Sequence, residues 1–223
     1  MCKLFIVPTP VGNLGDITFR AITVLSDCDY ILCEDTRKTS ILLNHYGIKK
    51  SLRSYHKFNE HKILSGIIQE LLSGKKLALV SDAGTPGLSD PGFLLVRECL
   101  KNKIPLECLP GPTAFIPALI QSGFPTDRFV FEGFLPAKKG RQKKLDELKY
   151  EKRTMIFFES PYRLIKTLEQ FKSLFGPERL ISISRELTKI HEETVTGSLE
   201  EVFQYFSDKT TKGEIVIILS GAK

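Results

Sequence analysis

Glu34-Asp35-Thr36-Arg37-Lys38 crowds two carboxylates and two bases into five positions. Such a cluster is strained unless its charges pair or serve a polar ligand, which makes it a candidate for acid–base chemistry. Acids capping a helix start would account for the same residues. A second segment, Ser81-Asp82-Ala83-Gly84-Thr85-Pro86-Gly87-Leu88-Ser89-Asp90-Pro91-Gly92, holds three glycines and two prolines. Almost no side chain stands between this backbone and whatever lies above it, so a ligand can approach closely. Pro8-Thr9-Pro10-Val11-Gly12-Asn13-Leu14-Gly15-Asp16 and Gly111-Pro112-Thr113-Ala114 repeat the small-residue theme. The first has half of a dinucleotide fingerprint, G-x-x-G, with Glu34 and Asp35 about 20 residues on, where the ribose acid of that motif falls. No P-loop motif occurs anywhere in the chain.

These segments fall at the ends of predicted strands. Short apolar runs at Lys3–Pro8, Tyr30–Glu34, Leu52–Tyr55, Lys76–Asp82 and Leu106–Leu109 read as strands, and Asp16–Leu25, Thr36–His45, Asn59–Leu72 and Pro91–Lys101 as helices between them. Asn59 is the expected cap of the third helix, and Pro91 behind Asp90 the expected start of the fourth. Strand–helix alternation with apolar strands predicts a parallel sheet covered on both faces. In such sheets ligands bind beyond the carboxyl ends of the strands. The second half reads as strands at Arg128–Phe134, Thr154–Phe158, Arg179–Glu186, Glu192–Gly197 and Glu214–Ser220, with helices at Pro161–Phe175 and Ser198–Phe206. The strands on either side of Thr188 are close enough to pair antiparallel, so this sheet is expected to be mixed. The expectation is two α/β domains, 1–113 and 114–223, meeting near Pro110–Phe124.

Composition fits a folded chain: 223 residues, 42% hydrophobic and 26% charged, which excludes disordered, collagen-like and coiled-coil classes. No apolar run reaches the roughly 18 residues of a membrane span, and no signal-type segment follows Met1, so the cytoplasm is the expected location. Five cysteines without a C-x-x-C, and scattered histidines, argue against a disulfide framework or a metal site. Net charge is +6, and the window Pro136–Arg153 alone carries eight Lys/Arg against three Asp/Glu, a net of +5. That window, a predicted basic helix, is either a solvated face or a phosphate-contacting patch.

Six motifs in order, Pro8-Thr9-Pro10-Val11-Gly12-Asn13, Glu34-Asp35-Thr36-Arg37, Ser81-Asp82-Ala83-Gly84-Thr85-Pro86, Pro110-Gly111-Pro112, Phe158-Glu159-Ser160-Pro161 and Arg185-Glu186-Leu187-Thr188-Lys189, resemble the ribosomal RNA small subunit methyltransferase I family, within the tetrapyrrole methylase fold class. The resemblance runs from one end of the chain to the other, although some relatives continue past the closing strand, where this chain stops at Lys223. It implies S-adenosylmethionine held in a cleft between two α/β domains. It also implies methyl transfer to the 2′-oxygen of a decoding-centre cytidine in 16S ribosomal RNA, by a homodimer. By likeness to the fold class the cofactor is expected at Pro8, Asp82, Ala83, Gly84, Thr113, Ala114, Phe158, Glu159 and Leu187.

A sulfonium cofactor carries no phosphate and needs no dinucleotide cradle. Its adenine and amino-acid ends suit backbone amides and carbonyls. A ribose hydroxyl is a weak nucleophile at neutral pH, so a positioned base should help. Candidates are Asp35, Glu34, Glu159, Glu186 and Lys189; Asp35 is preferred, with Arg37 pairing it or holding a substrate phosphate. Arg37, Lys38, Lys138, Lys139, Arg141, Lys143 and Lys144 are the expected RNA contacts. Three other readings remain at this point: a tetrapyrrole C-methyltransferase, a non-catalytic RNA-binding module, and a nicotinamide oxidoreductase.

Overall fold

The computed structural model describes residues 3–222. The chain divides into two compact units, Met1–Thr113 and Ala114–Lys223.

In the first unit, five strands, β1 (Lys3–Ile6), β2 (Tyr30–Cys33), β3 (Ser51–Ser54), β4 (Lys76–Leu79) and β5 (Leu106–Cys108), form a parallel sheet in the order β3-β2-β4-β1-β5. Each strand ends one to three residues before its apolar run does, because the last residues turn out of the ladder into the loops above the sheet. Four helices, α1 (Phe19–Asp27), α2 (Thr36–His45), α3 (Glu60–Leu72) and α4 (Phe93–Lys101), make the crossovers. Ala21 and Leu25 of α1 and Leu43 of α2 pack with Ile31, Cys33 and Ala78 on one face. Ile67, Ile68 and Leu71 of α3 and Leu95 and Cys99 of α4 pack with Leu4, Leu32 and Leu77 on the other. Strand residues alternate between the two clusters, as the two-residue period of a strand requires.

Asn59 stands at the N-cap position of α3 as expected, but its side chain bonds no helix amide: it accepts from the His56 amide (2.8 Å) and donates to the Ser54 carbonyl (3.0 Å), fastening the loop after β3. Asp90-Pro91 does not open α4, which starts at Phe93 because Gly92 sits at φ +140°, outside the helical region. The first predicted helix is likewise shorter. Leu14–Asp16 forms a 3₁₀ turn, and α1 begins only at Phe19, with Thr18 accepting from the Ala21 amide at 3.1 Å. The Gly12–Gly15 segment therefore does not run into a helix N-terminus, and the dinucleotide fingerprint loses its structural context.

The second unit is a mixed sheet in the order β6-β7-β10-β8-β9, built from β6 (Phe129–Phe134), β7 (Thr154–Glu159), β8 (Leu180–Arg185), β9 (Glu193–Ser198) and β10 (Ile215–Leu219). Only β6 and β7 are parallel neighbours; β8 and β9 pair antiparallel around Thr188 as expected. Helices α6 (Arg141–Leu148), α7 (Leu164–Phe175) and α8 (Leu199–Ser207) cover one face with a core around Phe157, Phe171 and Phe206. The other face is covered by α5 (Phe115–Ser122), where Ala118 and Leu119 meet Ile156, Val216 and Ile218. This helix lies in the segment read as a junction. Eight residues with Pro117 among them give little periodic signal, yet proline is tolerated in a first turn, where its missing N–H has no intrahelical partner.

Phe171 is fully buried and stacks between Phe157 and Phe175, with ring centroids 5.2 and 5.3 Å away. Phe171→Ala is expected to cost about 3–5 kcal/mol, read as a lowered urea midpoint in equilibrium unfolding.

Candidate functional site

Beyond the carboxyl ends of β1 and β4 the chain is stitched together by its backbone. Thr9 and Gly84 exchange two hydrogen bonds of 2.9 Å, and the Thr9 hydroxyl donates to the Ser81 carbonyl at 3.0 Å. The Ser81 hydroxyl lies 3.2 and 3.1 Å from the carbonyls of Ala83 and Gly84. Gly84 sits at φ +78°, and its added Cβ would meet only the Pro112 carbonyl, at 3.8 Å, so backbone conformation rather than space demands glycine there. At Gly111 space decides: a Cβ would stand 2.7 Å from the Pro8 Cβ. The Thr85 hydroxyl reaches the Pro112 carbonyl (3.0 Å) and the Thr113 hydroxyl (2.7 Å). Pro8, Gly84 and Thr113, read from sequence as separate candidates, thus belong to one assembly.

The charged cluster at the end of β2 joins the same loops. Asp82 accepts from the Asp35 amide at 3.1 Å and pairs with the Lys38 ammonium at 2.8 Å. Asp35 caps α2, accepting from the Arg37 amide at 2.9 Å, and its carboxylate is gripped by the Arg37 guanidinium at 3.0 and 2.7 Å. That two-pronged contact and the backbone hydrogen bond hold the Asp35 carboxyl down at about 2. Glu34 goes the opposite way. Burial, and then the nearby Asp82 charge, raise its carboxyl above the usual range, against the pull of the Asp82 amide, Lys38 and His56.

This separation revises the preference for Asp35 as base. A carboxylate ionised down to about pH 2 has little affinity for a proton near neutrality, whereas effective bases lie close to the working pH. Of the two, Glu34 has the higher affinity for a proton. His56, which the sequence reading passed over, lies close to Glu34, and its buried Nδ1 has no hydrogen-bond partner among the described residues. A histidine two residues past a strand end was the available signal.

In the second unit, Ala114, Phe158 and Leu187 come together around the α5 face of the sheet. Leu187 lies between two non-glycine residues in left-handed conformation, Glu186 (φ 51°) and Thr188 (φ 66°), and the Thr188 hydroxyl is buried without a partner among the described residues. Such strain in a loop is a mark of functional segments. Glu159 does not join them. One residue beyond Phe158 on β7, its side chain takes the opposite face, where it is 3% exposed. There it accepts from the Thr167 hydroxyl at 2.6 Å and the Ser160 amide at 2.8 Å, and pairs with Arg163 at 3.3 Å. With these partners it is not free to act as a base. Glu186 and Lys189 pair with one another at 2.8 Å, and Lys189 also with Glu214 at 3.0 Å, which spends that acid and that amine too.

The basic window divides similarly. Lys138, Lys139 and Lys143 are exposed. Arg141 is turned inward on the face of α6 that carries Leu145 and Leu148, bonded to Gln170, Thr167 and the Pro136 carbonyl. Lys144 is drawn to Glu132 at 2.7 Å. Both are therefore held by groups of their own unit, while Lys138, Lys139 and Lys143 stand at the surface.

Residues 3–202 match the family described as Tetrapyrrole (Corrin/Porphyrin) Methylases. Among solved structures the chain resembles a cobalamin biosynthetic enzyme, cobalt precorrin-4 methyltransferase (TM-score 0.72, 16% identity, covering 98% of this chain and 95% of that one), and the uroporphyrin-III-C-methyltransferase of Thermus thermophilus (TM-score 0.67, 18% identity, 98% and 94%). At such identities the likeness shows the fold alone, and the fold is that of the tetrapyrrole methylases. The chain is also 48% identical to Ribosomal RNA small subunit methyltransferase I of Thermotoga maritima over 221 residues, 99% of each chain. It is 47% identical to the Synechocystis protein of the same name, over 98% of this chain and 79% of that one. It belongs to the ribosomal RNA small subunit methyltransferase I family, and is an enzyme of the methyltransferase class.

Two expected outcomes test this geometry. Gly84→Ala, forced into a left-handed conformation, should destabilise the protein by about 1–2 kcal/mol, read from the denaturant midpoint. Asp35 has a folded-state carboxyl below its unfolded value of about 3.9, so its contribution to stability is present above that value and is lost as pH falls towards about 2. Arg37→Ala should remove that acid limb and raise the Asp35 midpoint, as followed by carboxyl-carbon NMR titration.

Proposed function

We propose that the protein transfers a methyl group from S-adenosylmethionine to the 2′-oxygen of a cytidine in the decoding centre of 16S ribosomal RNA. Full-length similarity to proteins named Ribosomal RNA small subunit methyltransferase I carries this reading. The loops fit the cofactor's chemistry. The Gly84 amide and carbonyl are spent on Thr9, but the Ala83 amide has no hydrogen-bond partner among the described residues, and small side chains leave it approachable. Pro8, Asp82, Ala83 and Thr113 in the first unit, with Ala114, Phe158 and Leu187 in the second, are the residues we assign to holding it; Gly84 shapes the loop. When bound, S-adenosylmethionine supplies an activated methyl group. The protein's own part is to orient the ribose and take its proton.

Glu34 is the proposed base, since burial and the Asp82 charge raise its carboxyl above its ordinary value and give it more affinity for a proton than Asp35 has. Asp35 and Arg37 form a fixed pair beside it, which keeps α2 capped and presents a mostly exposed guanidinium to substrate phosphate. Lys38, Lys138, Lys139 and Lys143 are the proposed further contacts to RNA. The proposed setting is a homodimer working on ribosomal particles in the cytoplasm; among the described residues no helix is long and apolar enough to cross a membrane.

Purified protein, labelled cofactor and small subunits from cells lacking their own enzyme test the reading. A methylated 2′-oxygen can no longer attack its own phosphodiester, so one bond should resist alkaline hydrolysis. Label without a resistant bond would remove the 2′-oxygen as target. Glu34→Gln should lower kcat by about 10²–10⁴ and abolish a rise of kcat with pH through a value above the usual carboxylate range. Asp35→Asn, which keeps a competent cap, should be milder; the reverse ranking would restore Asp35 as the base.

A further inference from the structure

In the second unit, a cavity of about 350 Å³ lies between α6 and α7, lined by Lys138, Arg141, Arg163, Lys166, Thr167 and Gln170 among others. The volume is near the lower end of the roughly 300–1,000 Å³ typical of ligand sites. Behind two of the lining residues lies the buried Glu159 carboxylate, paired with Arg163 at 3.3 Å and Arg141 at 3.8 Å. One internal acid explains one internal cation. Here two arginines pair with that acid, and Lys138 and Lys166 stand beside them in the cavity lining, so the cations outnumber the one acid behind them.

The arginines have structural work to do. Arg141 donates to Gln170 Oε1 (2.7 Å), Thr167 Oγ1 (2.7 Å) and the Pro136 carbonyl (3.3 Å), and Arg163 to the Leu135 carbonyl (3.0 Å). These bonds tie α6 to α7 and fix both guanidinium groups in place. The same account does not extend to Lys138 and Lys166. Neither has an acidic partner among the described residues, and both are exposed at the cavity wall. Like charges gathered around a concave surface repel one another unless an anion joins them. An occupant with several acceptor oxygens and negative charge answers all four cations at once, and phosphate has that chemistry.

We propose that this cavity is a phosphate subsite that seats one backbone phosphodiester of the RNA substrate, with Lys138 and Lys166 as the reaching cations and Arg141 and Arg163 as the preset floor. The identity of the RNA rests on the function proposed above; the anion chemistry of the cavity does not. The subsite adds Lys166 and Arg163 to the RNA surface and gives Arg141 a role from inside the wall.

Lys138→Gln with Lys166→Gln leaves the Glu159 network intact and removes only the reaching charges. Binding of a fluorescent single-stranded oligoribonucleotide, measured across a range of salt, should lose about 0.7 from the magnitude of the log–log slope for the one phosphate released. The KM for small subunits should rise while kcat holds. A charge-matched pair on the first unit, Lys49→Gln with Lys62→Gln, both exposed, should leave the slope unchanged. Independently of RNA, inorganic phosphate should raise the Tm of the parent more than that of the Lys138/Lys166 variant. An equal loss of slope in the charge-matched pair, or no difference between parent and variant in either measurement, overturns the subsite. A parent that neither binds nor methylates RNA overturns the functional reading instead, and the phosphate arm then decides the cavity by itself.

Discussion

Thr9 and Gly84 exchange two backbone hydrogen bonds just past the point where the ladder between β1 and β4 has ended at Ile6 and Leu79. Those bonds turn two separate strand exits into one surface, and the rest of the site is arranged around it. The Ser81 hydroxyl can fold back on its own loop because Gly84 holds that loop closed, and Gly84 can do so because it alone tolerates φ +78° there at no steric cost. Pro8 then packs so close to Gly111 that a methyl group would not fit between them. A surface built this way exposes backbone amides and small side chains, which suits a ligand recognised by hydrogen bonds and shape more than by charge.

Charge enters at one edge of that surface, and it is sorted by environment. Glu34 and Asp35 are adjacent in sequence, yet burial raises one carboxyl while Arg37 lowers the other. Two carboxylates with diverging proton affinities can take different tasks, one moving a proton and one holding a fixed charge. Asp82 keeps the two in register by accepting from the Asp35 amide and anchoring Lys38.

In the second unit the sheet separates its roles by face. On β7, Phe158 belongs to the cluster beneath α5, and Glu159 is sent to the side of α6 and α7. A buried carboxylate there needs cations to be tolerable, and those cations in turn fix the wall of a cavity. The same acid thus supports packing between helices and leaves positive charge over for an outside anion.

The alternation of apolar runs and helical periods was sufficient to place β1 to β10 and the helices α1 to α4, α7 and α8 within a few residues, because periods of 2 and 3.6 are local properties of the chain. Glycine and proline at the strand ends marked the loops for an equally local reason. The motifs themselves carried the family. Tertiary structure alone decided that the carboxyl of Glu34 is raised while that of Asp35 is lowered, since the first depends on burial and on Asp82, 47 residues beyond Asp35. It also decided that Arg141, in the middle of a basic run, turns inward to Thr167 and Gln170, and that Glu159 faces away from its neighbour Phe158. Charge and hydrogen bonding act through space, and a sequence records only the distance along the chain.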